Sequence, residues 1–372
     1  MLGFPAEILD SVIDQAHEKP STLAACSLVC RQWVPRTRYY TFSSIHLVDS
    51  NNANNITKFI TLLESPHATF ISSVREVTLF LQSSGPADGI LTLLIRHGVA
   101  PTFLHLHCQM YYLPRSGPLP SLTHLRLDLG TGHSSGHVQA ADFRALTDFI
   151  HGLTGLTSLA LDMPSLSESI TRASAPPPSL RELEISRPAV LANILSFSMP
   201  GAMILPHLIL RFIDAPRWEK VVPYLNAACA RNVLESLTLI YCNPLPILKS
   251  YPTLRHLTIG LPFHIMASHV LAALADADAD GSPELETLTL NGTRDRHPIH
   301  LIGPGWLEVD SILSTPSRFP RLRSIILCGG GRDRGSIDSS IQALYAQLPS
   351  CAARGFVVLQ YTSTQFPRPG WV

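Results

Sequence analysis

The sequence predicts an α/β protein: a small three-helix N-terminal piece, then an irregular solenoid with a parallel concave sheet and convex helices. Two observations predict the solenoid. A pattern L-x-x-L-x-L recurs along most of the chain, and the intervals between copies carry apolar residues at helical spacing. A third predicts the helical start: residues 4–47 hold three short stretches with apolar stripes of helical period.

The copies are "VREVTL" from Val74, "LTHLRL" from Leu122, "LTSLAL" from Leu156, "LRELEI" from Leu180, "LPHLIL" from Leu205, "LESLTL" from Leu234, "LRHLTI" from Leu254, "LETLTL" from Leu285 and "LRSIIL" from Leu322. A weaker copy, "TFLHLHC", lies near Leu104. Within each copy apolar and polar residues alternate, as in a half-buried strand. Helices are expected over 141–153, 217–230, 264–276 and 336–348, the first carrying Phe143, Leu146, Phe149 and Ile150 on one face. A single strand with one apolar edge cannot bury itself, so such units stack. A doubly wound parallel sheet would instead show strands that are continuously apolar. Here His124, Arg126 and Asp128, or Glu182 and Glu184, occupy every second site.

At the N-terminus, Pro5 suits the first turn of a helix and Glu7 complements its positive end. Ile8, Leu9, Val12, Ile13 and Ala16 form its stripe. Pro20 and Ser21 restart the chain, with Ser21 expected as N-cap. The second helix brings Leu23, Cys26, Val29 and Cys30 to one face. Trp33 opens a third that runs toward Phe42. A piece of about 45 residues has a marginal core of its own, so part of these stripes needs a cover.

Two resemblances follow from these residues. The repeats resemble the leucine-rich-repeat family over roughly 70–360, departing from it where Asn or Cys closes each turn. Only Cys242 fills that position; Gly130, Pro164, Pro188, Pro262 and Thr293 stand there elsewhere, which predicts an uneven arc. The N-terminal piece resembles the F-box, most closely the large fungal F-box families. Phe4-Pro5-Ala6-Glu7-Ile8 matches the family's "LP-x-E-I/L" opening with Phe4 in place of Leu. Leu23, Cys26, Ser27, Val29, Cys30, Arg31 and Trp33 match its centre, and "TFSSIHL" is similar to its end. The domains expected are an F-box over 1–48, a linker helix over 49–70 and a leucine-rich-repeat-like domain over 71–372.

The resemblance implies a substrate-recognition subunit of an SCF-type cullin–RING ubiquitin ligase. The F-box would dock on the adaptor protein and, through it, on a cullin; the repeats would hold a protein substrate. It implies no catalytic residue, no cofactor and no metal. Pro5, Ile8, Leu9, Leu23, Cys26, Val29, Cys30 and Trp33 are the candidates for the adaptor surface or the core beneath it. Two alternatives stay open: the stripe packs onto the first repeat as a cap, or the chain is an interaction scaffold outside ubiquitylation.

Composition narrows the partners. Lys+Arg 28 against Asp+Glu 28 leaves no cationic surplus for a phosphate backbone, and no apolar run approaches a bilayer span. Nucleic acid and membrane are therefore not expected partners. "MLGFPAEILD" lacks the pattern of a secretory signal. Seven scattered cysteines read as reduced thiols, which places the protein in cytoplasm or nucleus.

Four motifs look chemical and are read as loops or strands. "GHSSG" around Ser134 fits G-x-S-x-G, but Gly130 and Thr131 lengthen the turn a nucleophile elbow needs tight. "DADADG" (276–281) copies the start of a calcium loop, yet Thr287 stands where the bidentate Glu is required. "CGGGRDRG" (328–335) lacks the lysine of a phosphate loop. His105 and His107 alone do not make a metal site, and Cys26 with Cys30 lacks a second pair.

Between the leucines, the outward face mixes both charge signs with hydroxyls and a few apolar residues, which suits a protein or peptide partner. Arg126, Asp128, Glu182, Glu184, Arg211, Thr289 and Asn291 are the candidates for substrate binding. The loop 163–179 with "SAPPPS" is a second candidate, since loops often carry binding.

Overall fold

The computed structural model of the chain describes residues 6–16, 19–50, 53–66, 68–81, 87–109, 119–130, 140–163, 177–186, 205–213, 215–243, 245, 251–274, 284–292, 304–329 and 341–361. It divides into two compact units, Met1–Leu180 and Arg181–Val372.

The first unit opens with three helices, α1 (Ala6–Ala16), α2 (Pro20–Val29) and α3 (Val34–Ser43). Lys19, not Ser21, precedes α2 as its N-cap and makes no side-chain cap bond; Pro20 starts the helix. Proline's fixed φ suits that position and its missing N–H is one of the orphans there. For the same reason Pro35, which reads as a break, lies in the first turn of α3. Trp33 stands just before that helix rather than in it, and accepts the amide of Thr37 at 3.0 Å. Ile13, Leu23 and Cys26 form the small apolar core of the three helices, with Thr37 buried beside them.

The third helix runs straight into strand β1 (Ser44–Ser50). Strands β3 (Glu76–Leu81), β4 (Phe103–Gln109), β5 (His124–Gly130) and β6 (Ser158–Asp162) follow, all parallel to β1 in the order β1-β3-β4-β5-β6. A two-residue strand β2 (Ala53–Asn54) pairs antiparallel on the outer edge of β1. Helices Asn55–Leu63, Ala87–Arg96 and Ala140–His151 connect them. Register is strict: Leu47, Leu79, Leu106, Leu127 and Leu161 face one another strand by strand and all are at most 3% exposed.

The second unit contains β7 (Glu182–Ser186), β8 (His207–Arg211), β9 (Ser236–Ile240), β10 (His256–Leu261), β11 (Thr287–Gly292), β12 (Ser324–Gly329) and β13 (Val357–Tyr361). They are parallel and in chain order. Ile185, Leu210, Leu239, Ile259, Leu290 and Leu327 make the matching buried row. Helices Ala215–Ala230, Phe263–Leu274, Trp306–Leu313 and Pro349–Ala353 lie between strands. Both units are thus α/β, with a parallel sheet and connecting helices, as a stacked repeat requires.

The stacking is visible in the backbone. The two residues that open a strand both donate to one carbonyl of the preceding copy: Thr123 and His124 to Thr102, Arg255 and His256 to Glu235, Glu286 and Thr287 to Arg255. Cys242, the one residue at the consensus turn position, is fully buried; its thiol donates to Leu210 O of the neighbouring copy at 3.4 Å. Burial pushes that thiol up to about 11, and the Cys108 and Cys351 thiols up to about 12. None of the three is a thiolate near neutral pH, so none is a ready nucleophile.

Helix Trp306–Leu313 is not signalled by the sequence pattern. Gly305 before it has φ +105°, and a Cβ there would meet Leu271 Cδ1 at 2.9 Å, which fixes glycine at that turn. Within the helix, buried Asp310 accepts the amides of Ser350 and Cys351 at 2.9 and 2.8 Å, anchoring the last helix. Burial acts to raise the Asp310 pKa, but those two amides outweigh it and hold the carboxyl below the ordinary carboxylate range.

Candidate functional site

The N-terminal helices sort the predicted adaptor residues by burial. Leu23 and Cys26 point into the small core, and Leu9 and Trp33 are half-buried. Ile8 (50% exposed) and Val29 (63%) face outward, and Cys30 is exposed. Pro5 lies outside the described residues. The stripe read for α1 therefore divides: Ile13 packs inward while Ile8 and Val12, one turn apart, do not.

Cys26 and Cys30 do not share a helical face. The second helix ends at Val29, and Cys30 follows in extended conformation, φ −160°. That geometry removes the spacing a two-cysteine ligand pair would have used. Among the described residues no group of three His, Cys, Asp or Glu side chains is placed to hold a metal ion.

Two exposed aliphatics on these helices were not among the predicted site residues. Leu28 is 87% exposed and Val12 48%. Leu28 was legible in principle, since it sits two residues past buried Cys26 and so falls on the opposite side of the helix. Ile8, Val12, Leu28 and Val29 together leave on the order of 5 kcal/mol of burial unused.

Polar links fix α1, which carries Ile8 and Val12, against α3. Arg36 donates to both carboxylate oxygens of Asp14 at 2.7 Å, and Tyr40 donates to Asp14 at 2.9 Å. A bidentate pair of this kind fixes orientation as well as distance, so α1 and α3 are tied at a set angle. Helix α3 attaches to the sheet region: the Phe42 and Phe70 rings lie 4.5 Å apart, Arg38 donates to Thr69 Oγ1 at 2.6 Å, and Arg75 donates its amide to Ser43 at 2.8 Å.

On the outward face of the first sheet, Arg126 and Asp128 are engaged with their own neighbours. His105, 2% exposed, donates from Nε2 to Asp128 Oδ2 at 2.8 Å, and Arg126 donates to Oδ1 at 3.2 Å. His107, two residues on, is exposed. Burial of Asp128 raises its pKa, but the His105 hydrogen bond and the Arg126 charge outweigh it, and the carboxyl is held below its usual range. A depressed folded-state pKa contributes stability above the unfolded value near 3.9, lost as pH falls through the folded one. Urea midpoints of wild type and Asp128→Asn are accordingly expected to differ at pH 7 and to converge as pH is lowered below about 4. A gap of equal size at both pH values would contradict this.

In the second unit, Arg211 donates to Glu184 at 2.6 Å, both side chains mostly buried. Glu182, Thr289 and Asn291 are half-buried in the outward rows of their strands. Arg126, Asp128, Glu184 and Arg211 are therefore committed to partners within the chain, and Glu182 is not free either. Ser134, the acidic stretch 276–281, the glycines from 330 to 335 and most of the 163–179 loop lie outside the described residues.

The residues that stand out on the second unit are two that sequence reasoning missed. Phe212 directly follows β8 and Tyr241 directly follows β9, at equivalent places in "LPHLILRFI" and "LESLTLIYC". Both have left-handed backbones, φ 58° and 54°. Their amides still donate to the next strand, to Ile240 O and Gly260 O, each at 2.8 Å. That conformation costs a bulky residue about 1–3 kcal/mol. The rings stack on each other, centroids 5.2 Å apart and 6° from parallel, and are 52% and 38% exposed.

No helix among the described residues is long and apolar enough to cross a membrane. A scan against protein-family models finds none that matches the chain, and a search of curated proteins finds no match.

Proposed function

We propose that this chain is a substrate-recognition subunit of an SCF-type cullin–RING ubiquitin ligase, with an F-box at residues 1–48 and leucine-rich repeats behind it. The observation that carries the reading is the exposure of Ile8 and Val12 on α1, which is tied to α3 through Arg36 and Asp14, and of Leu28 and Val29 on α2. They lie in the stretch whose residues match the F-box pattern, and that pattern's cover is the ligase adaptor. If those helices only capped the repeats, their aliphatic side chains would be buried against the chain itself. Leu23 and Cys26 then act as the core that supports the docking surface, and Ile8 and Val29 belong to the surface. The protein contributes binding rather than chemistry: it holds a partner protein within reach of ubiquitin transfer. It works without cofactor or metal, in the cytoplasm or the nucleus.

The experiment is reconstitution. The full chain, fused to a lysine-rich reporter protein, is mixed with purified adaptor, cullin–RING module, and charged ubiquitin-conjugating enzyme. The reading expects co-elution with the adaptor in equal amounts and adaptor-dependent ubiquitylation of the reporter. A chain that binds the adaptor yet gives no transfer would be the repeat scaffold outside ubiquitylation.

A further inference from the structure

Phe212 and Tyr241 hold a backbone conformation that glycine or asparagine adopts readily and bulky residues seldom do. Core packing accounts for only part of them, because Phe212 and Tyr241 remain 52% and 38% exposed. Three residues before Tyr241 in the chain, Thr238 begins a row with Thr258, Thr289, Ile326 and Val358 in strict register across β9 to β13. No member of that row is charged, nor is any member of the adjoining row from Ile240 to Gln360. At the β8 end, the Arg211 guanidinium is already held by Glu184 at 2.6 Å.

A charged segment laid on these rows would give up hydration and meet no countercharge, whereas an uncharged one would not. Threonine hydroxyls both donate and accept, so they can satisfy the amides and carbonyls of an extended chain. Five strands about 4.8 Å apart span about 19 Å, the length of about six extended residues. The stacked rings offer a flat apolar face at one end for an anchoring side chain.

We propose that the Phe212–Tyr241 stack and the threonine row that begins at Thr238 form the docking surface for an extended, uncharged peptide segment anchored by a proline or leucine. This deepens the receptor reading and rests on it, since it says where the recruited protein is held.

The test is an array of eight-residue peptides in which uncharged, acidic and basic sequences are equally represented. It is probed with the full chain and with the Phe212→Gly, Tyr241→Gly double variant. Glycine adopts both backbone conformations without strain, so this variant removes the rings and keeps the fold; Phe212→Asn with Tyr241→Asn is the second variant should the first not fold. Uncharged peptides with a central proline or leucine are expected to be retained at least about tenfold above charged ones, and both variants to lose about tenfold of that retention. Equal retention by a folded variant, selection of acidic or basic peptides, or no retention by folded wild type would each overturn the proposal. Adaptor binding is measured on the same preparations. Its loss in wild type would sink the receptor reading, while its presence without peptide retention would sink this inference alone.

Discussion

Replacing Ile8 and Val29 together by Asp is expected to weaken adaptor binding by at least about 100-fold, or about 2.7 kcal/mol. Both side chains are half or more exposed, so the folded chain loses little: surface changes of this kind usually stay within about 0.5 kcal/mol. In the complex, each new carboxylate would be taken out of water without a partner, a cost well beyond that of the lost methyl contacts. Titration calorimetry of wild type and variant against purified adaptor measures the affinity, and thermal unfolding checks the fold. A folded variant with wild-type affinity would remove these helices from the interface. Leu28→Asp, at the most exposed aliphatic position, is expected to act in the same direction.

Phe143→Ala is expected to destabilise the first unit by about 3–5 kcal/mol. The ring is fully buried in helix Ala140–His151, with Leu146 equally covered and Phe149 and Ile150 nearly so. Domains are stable by only about 5–15 kcal/mol in total, so such a cavity brings that unit close to unfolding. Stacked repeats open locally, so the readout is native-state hydrogen exchange at the amides of β5 and β6. Exchange there should accelerate strongly, while Phe143→Leu, which keeps most of the volume, should cost less than about 1.5 kcal/mol. Unchanged protection in Phe143→Ala would show that the helix does not support the sheet.

The strands were legible because their chemistry repeats. Every leucine of the pattern from Leu122 to Leu322 is buried, and the residues between alternate outward in the same register from one copy to the next. The helices Ala140–His151, Ala215–Ala230 and Phe263–Leu274 fall within two residues of their predicted starts for the same reason. What was not legible depends on backbone states or on context. β1 reads as the tail of a helical motif, yet Ile45 and Leu47 supply the same inward pair as every later strand and join β3 in register. Trp306–Leu313 is hidden behind the Gly-Pro-Gly sequence (303–305) that precedes it, and the left-handed Gly305 is what starts it.

The candidate sites divide similarly. Sequence spacing puts Cys30 on a helix, and the structure ends that helix one residue earlier. Arg126, Asp128, Glu184 and Arg211 read as a free polar face, but charges two residues or one strand apart find each other first. Phe212 and Tyr241 carry no periodic signal, because a positive φ is a property of the fold that aromatic residues do not announce.

The most direct measurement is hydrogen–deuterium exchange of the full chain with and without saturating adaptor. The account predicts slowed exchange confined to residues 6–16 and 20–34, with the β5 and β9 amides unaffected. Unaltered exchange in those helices, in a folded chain held with adaptor at high micromolar concentration, would contradict it.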